Sequence, residues 1–309
     1  MNSNTLIILA GPTAVGKTSL SIDLARFFNT EIVSADSRQI YKEMITGTAV
    51  PVEDQLKKIP HHLVHSRSIH DYYNANMYEQ DALAVLKKIF RKHPVAILTG
   101  GTGLYIDAIC YSIDELPSAD HEIRARLAQK FKDEGIESLR FDLKKLDPDY
   151  YNKVDLNNHK RILKALEICL ITGKPYSSFL IKKKTERPFN MIKIGLDLPR
   201  EELYERINTR VDRMIKEGLL EEARSLYPHK HLNALKTVGY RELFRHLDGE
   251  LSLTEAIDLI KRNTRHYARR QLTWFRRYKD MTWFHPGQAE EIKTFITDQL
   301  PLVLTNIKR

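Results

Sequence analysis

Short apolar runs alternate with amphipathic stretches over the first hundred residues of the chain. Residues 6–10, 31–35 and 95–99 are nearly continuous apolar runs, and 191–198 is a fourth β-type run. A strand covered on both faces carries such a run, because neither face meets water. Between the runs, 17–28 and 77–92 repeat apolar positions at helical spacing. Strand and helix in alternation predict a doubly wound α/β sheet with parallel strands. From 117 to 187 the pattern changes. Three helical stretches, 119–134, 136–146 and 158–171, follow one another with no convincing strand between them. Asp147-Pro148 and Gly173-Lys174-Pro175 mark turns, and Lys182-Lys183-Lys184-Thr185-Glu186-Arg187-Pro188 reads as a returning linker. The predicted plan is a core of residues 1–116 and 188–309 interrupted by a helical insertion, 117–187. After Leu198 the chain is mostly helical, with Pro199 at a helix start.

One motif within this plan carries chemistry. Gly11-Pro12-Thr13-Ala14-Val15-Gly16-Lys17-Thr18 matches G-x-x-x-x-G-K-[ST] between a predicted strand and a predicted helix. Backbone N–H groups converge at such a helix start, and the helix dipole adds positive charge there. Gly11 and Gly16 permit the tight backbone, Lys17 brings a full charge to the outer phosphate, and the Thr18 hydroxyl can hold Mg²⁺. The fold implied is P-loop NTPase-like, and the ligand is a diphosphate or polyphosphate, with ATP not specified. A typical ATPase or GTPase ends an apolar strand on an Asp that helps hold Mg²⁺. Here the run 95–98 leads into Thr99-Gly100-Gly101-Thr102-Gly103 instead. Asp36 follows the second strand, with Ser37, Gln39 and Tyr41 after it. Two readings stand. Strand ends in such a sheet point at the binding crevice, which would turn Asp36 to the phosphate site; or Asp36 caps a turn or the next helix.

Charge adds a class of partner. Lys and Arg number 49 against 40 acidic residues, a formal net charge of +9 that suits RNA, DNA or anionic lipid. Residues 261–279 hold eight Lys or Arg and no acid, with Tyr267, Trp274, Phe275 and Tyr278 interleaved. Cations among aromatics suit phosphate contacts and base stacking. The same pattern also describes a solvated amphipathic helix that packs its Leu272 and Trp274 side on a core. His61, His62, His65 and His70 lack a zinc framework and read as loop or helix-start residues. Cys110 and Cys169 have no partner at metal spacing and read as reduced structural thiols of a cytoplasmic protein. Residues 6–10 are too short for a signal peptide, and no stretch approaches a membrane span, so no membrane partner is expected.

GPTAVGKT at 11–18, DSRQIY at 36–41, GTA at 47–49, PHHL at 60–63, GGTGLY at 100–105, PSAD at 117–120, VGYRE at 238–242 and RRQLTWFRR at 269–277 occur in this order. Together they resemble the tRNA dimethylallyltransferases (isopentenyltransferases), over nearly the whole chain. Val64-His65-Ser66-Arg67 departs from that family's pattern. The resemblance implies transfer of a dimethylallyl group from its diphosphate to the adenosine 3′-adjacent to the anticodon, in tRNAs reading codons that begin with U. It implies that residues 11–18 hold the diphosphate, with Mg²⁺ on Thr18 and Arg210 as a diphosphate-contacting arginine. It makes Asp36 the general base and gives Asp36, Ser37, Arg38 and Gln39 the flipped adenine. It assigns tRNA contacts to Thr102, Arg124 and Lys160-Arg161-Ile162-Leu163-Lys164. Lys236-Thr237-Val238-Gly239-Tyr240-Arg241 and Arg269-Arg270-Gln271-Leu272-Thr273-Trp274-Phe275-Arg276 are the remaining tRNA segments. The insertion is expected to grip the anticodon stem-loop, and the protein to act as a monomer.

Two other classes share part of the pattern. A small-molecule kinase of the nucleotide or shikimate type would use the phosphate loop, an acid after the second strand and arginine-bearing helices. It has no ready use for the basic–aromatic segment 261–279. A non-catalytic RNA-binding protein could keep a relic nucleotide site, but the intact Lys17, Thr18 and Asp36 argue against it.

Overall fold

The computed structural model describes residues 4–50, 53–114, 116–117, 120–180 and 186–300. Ser118 and Ala119 of the PSAD motif, and 182–185 of the predicted linker, lie outside the described residues. Six parallel strands form one sheet in the order β3-β2-β4-β1-β5-β6. They are β1 Thr5–Ala10, β2 Ile32–Ser34, β3 His61–His62, β4 Val95–Gly100, β5 Asn190–Leu196 and β6 Met281–Phe284. Helices α1 Lys17–Phe27, α2 Glu53–Lys58, α3 Ala75–Ile89 and α4 Gly103–Tyr111 belong to the first half. Helices α5 His121–Leu146, α6 Pro148–Tyr151 and α7 His159–Thr172 form the insertion. Then come α8 Arg200–Lys216, α9 Leu219–Leu226, α10 Tyr240–Leu247, α11 Leu253–Phe275 and α12 Ala289–Gln299.

β1 is fully buried because it is covered on both faces. Its odd positions, Ile7 and Leu9, pack with Leu24, Ile207 and Ile292, while Leu6 and Ile8 pack on the other face with Tyr78, Leu86 and Ile106. That split by parity is the pleat of a strand with helices on both sides. From β1 the chain moves outward to β2 and β3, returns through β4 between β2 and β1, and then crosses to β5 and β6. The reversal beside β1 opens a crevice at the carboxyl ends of the strands. The loops after β1, β2 and β4 meet there.

Two strands differ from the sequence expectation. His61 and His62 form the short edge strand β3 rather than a loop or helix start, with His62 Nε2 2.6 Å from Glu31 Oε2. β6 lies in the region expected to be mostly helical. His65 and His70 do lie in loops, and His70 packs edge-on against His229.

The chain divides into two compact units, Met1–Cys110 with Glu186–Arg309, and Tyr111–Thr185. In the second unit, Gly135 (φ 76°, ψ −169°) breaks α5 where the pattern predicted two helices. Its core is Leu127, Leu139, Leu143, Ile162, Ala165 and Leu166. Buried Asp147 caps α6 through the Tyr150 N–H at 2.9 Å and also accepts from Ser177 N at 2.6 Å. Arg187, read as part of the linker, belongs to the first unit. It pairs with buried Glu79 at 2.6 Å and donates to the Ile109 carbonyl at 2.8 Å. Cys110 and Cys169 are buried free thiols, and burial pushes the Cys110 thiol up to about 12. Among the described residues no helix is long and apolar enough to cross a membrane.

Candidate active site

The phosphate loop is built on two left-handed glycines. Gly16 (φ 106°) caps α1, and Gly11 (φ 156°) passes so close to β5 that a Cβ there would sit 2.8 Å from the Leu196 carbonyl. Lys17 folds back over the loop, donating to the Gly11 carbonyl at 3.0 Å and the Pro12 carbonyl at 2.7 Å. Burial, followed by the nearby Arg210 charge, lowers its ammonium to about 7, against the opposing pull of Asp36. Val15 is fully buried and serves the loop through its backbone.

Asp36 follows β2 at the crevice. Its Oδ1 accepts from the N–H of Arg38 at 2.8 Å and of Gln39 at 3.3 Å, so it does cap the turn. It also lines the same cavity as Lys17, Thr18 and Arg210, so the two readings of Asp36 are both realised. Arg210 stands on α8 with its guanidinium lowered chiefly by burial, and Asp36 pulls the other way. Neighbouring Arg206 is tied to Glu202 at 2.8 Å and Arg213 lies 3.9 Å from Glu217, so Arg210 is the arginine held between the loop and Asp36.

α11 closes the crevice with one face. Gln271 is buried, accepts from the Thr13 N–H at 2.9 Å and donates to the Gly101 carbonyl at 2.8 Å. One turn earlier, Tyr267 lines the cavity with Thr102 and senses the charge of Asp36; burial is the first cause that raises its hydroxyl to about 12. One turn later, Trp274 lies against Gly103, where any Cβ would overlap the indole. Thr102 Oγ1 accepts from the Ser37 N–H at 3.0 Å, which ties the loop after β4 to the loop after β2. The opposite face of α11 exposes Arg269 and Thr273, Arg276 is exposed at its C-cap, and Arg270 is exposed where the helix borders the cavity. The helix therefore packs and presents cations at once, which are the two readings its sequence left open.

A second brace stands behind Asp36. Glu222 on α9 accepts from the N–H groups of Ile45, Thr46 and Gly47 at 3.0, 2.8 and 2.9 Å, and from the Tyr240 hydroxyl at 2.6 Å. Tyr240 is fully buried against Gly47, where a side chain would collide with its ring. The loop so held offers the Thr48 and Ala49 carbonyls to Gln39 Nε2, both at 3.2 Å. Gln39, Tyr240 and Gln271 were expected to meet RNA; Tyr240 is fully buried in the brace, while Gln39 and Gln271 brace the site and also line the cavity. Phe275 and Ile162 are likewise fully buried, and Leu272 and Leu163 pack partly against the cores. Lys236 and Arg241 are exposed, while Thr237, Val238 and Gly239 line the cavity. Arg38 reaches the Ala234 carbonyl at 3.1 Å.

In the inserted unit, Lys160 and Arg161 are exposed at the start of α7. Arg124 and Lys164 converge on the buried carboxylate of Glu167 at 3.0 and 3.4 Å. Tyr267, Glu222 and Glu167 were not singled out for these roles from sequence. Tyr267 is spaced four residues before Gln271 and could have been found; the two acids carry no local signal.

The cavity has a volume of about 1090 Å³. The Thr18 hydroxyl and Asp36 carboxylate both line it, and both are hard oxygen donors of the kind Mg²⁺ takes. Among the described residues no group of three or more His, Cys, Asp or Glu could hold a metal. A cation with few protein ligands, completed by phosphate oxygens and water, fits that donor set.

Comparison with known proteins agrees with this geometry. The IPP transferase family matches residues 39–278. A tRNA dimethylallyltransferase 1 of Bacteroides thetaiotaomicron is 55% identical over 292 residues, covering 94% of this chain and 95% of the relative. A tRNA dimethylallyltransferase of Christiangramia forsetii is 55% identical over 91% of this chain and 93% of its own. Among solved structures, the full-length tRNA isopentenylpyrophosphate transferase of Bacillus halodurans superposes with a TM-score of 0.71 at 35% identity, covering 99% of both chains. A eukaryotic dimethylallyltransferase acting on tRNA reaches a TM-score of 0.80 at 25% identity, over 96% of this chain and 79% of that one.

Proposed function

This chain belongs to the IPP transferase family, and on that footing we propose that it transfers a dimethylallyl group from dimethylallyl diphosphate to the exocyclic amine of the adenosine 3′-adjacent to the anticodon in tRNA. The observation that carries the reading is the meeting of Lys17, Arg210 and Asp36 in one cavity walled by α11. In this reading the carbon–oxygen bond of the donor breaks and its electron pair leaves with the diphosphate. Negative charge grows on the leaving oxygens in the transition state. Loop amides, Lys17 and Arg210 are fixed donors that favour that state over the ground state. Mg²⁺ bound at Thr18 would add countercharge to the leaving diphosphate. The adenine amine is a weak nucleophile, because its lone pair is delocalised into the ring. As nitrogen bonds to the allylic carbon, its proton passes to the Asp36 carboxylate. The base must leave its stack to reach that carboxylate. The exposed cations of α11, with Arg124, Lys160 and Arg161 of the inserted unit, supply contacts for the RNA phosphates. Family membership favours prenyl transfer over phosphoryl transfer to a small metabolite.

Asp36→Asn tests the chemistry. It keeps the turn-capping oxygen and removes the basicity. Single-turnover transfer should slow by roughly 10²–10⁴ with tRNA and diphosphate affinities little changed. Near wild-type turnover eliminates Asp36 as the base. Recovery of the rate with added Mg²⁺ would recast it as a metal ligand.

A further inference from the structure

Two helices border the cavity, and both change character along their length. On α8, Arg206 lies beside Gly16, and Arg210 lies between Lys17 and Asp36. Val211 and Met214 follow, and both line the cavity. On α11, read toward its N-terminus, Gln271 touches the phosphate loop and Tyr267 faces Asp36. Ile260 then closes the series, two turns further on, and it also lines the cavity. Arg213 and Thr264 also line it, but apart from Ile207 the large aliphatic lining side chains of both helices lie away from the phosphate loop. The apolar end is completed by Leu219 and Val238. Val211, Leu219 and Ile260 are at most 3% exposed and belong to one packed core cluster, with Met214 and Val238 half-buried against it. None of these five side chains carries a strong hydrogen-bonding group.

We propose that this recess takes the hydrocarbon chain of the allylic donor and that Met214 sets the chain length accepted; the proposal rests on the prenyl-transfer reading above. A diphosphate at Lys17 and Arg210 points its alkyl end away from the loop, toward the only kind of wall that gains from burying carbon. The distance agrees. Met214 is four residues beyond Arg210, about 6 Å along the helix axis at the α-helical rise. Four carbons in line, at about 1.5 Å a bond, span roughly 4 Å. A five-carbon chain fits before Met214, and a ten-carbon chain must displace it. Methionine is a flexible filler, so its side chain can close on a short donor without strain. The apolar wall also keeps water from the cation-like allylic carbon.

The experiment compares five- and ten-carbon allylic diphosphates as donors to an anticodon stem-loop RNA, with the prenylated adenosine identified by mass spectrometry. Met214→Ala should raise kcat/KM for the ten-carbon donor relative to the five-carbon donor by at least about tenfold, the scale on which apolar pockets discriminate. Met214→Trp should lower use of the five-carbon donor by about 10–100-fold, while affinity for inorganic diphosphate stays within about twofold. If both folded variants keep the wild-type ratio of donors, the recess does not hold the chain and the proposal is overturned. Val238→Phe fills the same recess from the other wall and decides the case if a Met214 variant fails to fold. Absence of prenylated adenosine from wild type with either donor would instead refute the prenyl-transfer reading itself.

Discussion

Lys17 is held in the phosphate loop at a cost in charge. Burial first, and then Arg210, bring its ammonium to about 7, well below the ordinary 10.5. The sign of the linkage follows. Below pH 7 the lysine is charged both folded and unfolded, and the full cost of burying that charge is present. Between pH 7 and 10.5 the unfolded chain binds the proton and the folded one does not, so stability from this group rises with pH. A bound diphosphate reverses the shift, because an anion beside the lysine favours its charged form. Diphosphate binding at pH 8 should therefore take up close to one proton more in wild type than in Lys17→Ala, and the excess should vanish by pH 6. Calorimetry in buffers of different ionisation enthalpy measures it, and equal uptake by both proteins at pH 8 contradicts the burial assignment. At this scale the sequence was partly readable. The phosphate-loop match identified Lys17 from eight residues, and the strand-end position pointed to Asp36. Glu222 was not readable, since its three backbone donors lie about 175 residues earlier in the chain.

Among the elements, α11 shows why a one-dimensional pattern leaves two meanings open. Its charges and aromatics are compatible with a packed helix and with an RNA surface, and the helix has both a packed face and exposed cations. Which face turns inward is decided by partners far away in sequence, Thr13 and Gly101. Gln271→Leu keeps the volume but leaves the Thr13 N–H and Gly101 carbonyl without their buried partner. It should lower stability by about 1–3 kcal/mol, the usual cost of buried polar groups left unpaired. It should also weaken diphosphate binding, because Thr13 belongs to the loop that holds the ligand. Denaturant unfolding and diphosphate titration check the two effects, and a variant as stable as wild type would show the brace to be idle. Long runs such as β1 and β4 were legible because a strand covered on both faces needs uninterrupted apolar residues. The two-residue β3 was not, since His61 and His62 show no period that distinguishes a strand from a loop. Gly135 was a visible break in α5 because nothing else in that stretch favours a positive φ.

The whole molecule combines a parallel sheet, whose crevice collects the phosphate loop, Asp36 and Thr102, with a separate helical unit inserted after α4. The alternation of runs foretold the sheet, and α5, α6 and α7 stand where the strands stop after residue 117. The return point was less clear, because Arg187 looks like linker in a basic stretch but forms a buried ion pair with Glu79. A truncation of the inserted unit must spare it, since removing one partner leaves the other charge buried alone. Prenyl transfer and phosphoryl transfer share the parts of this crevice, so the choice of donor is the sharpest test of function. The direct measurement is incubation of wild-type protein with undermodified tRNA and Mg²⁺, with dimethylallyl diphosphate in one arm and ATP in the other. Isopentenyl-adenosine released by nuclease digestion should appear by mass spectrometry in the first arm alone; its absence there, with ATP consumed on a small metabolite, contradicts the function proposed.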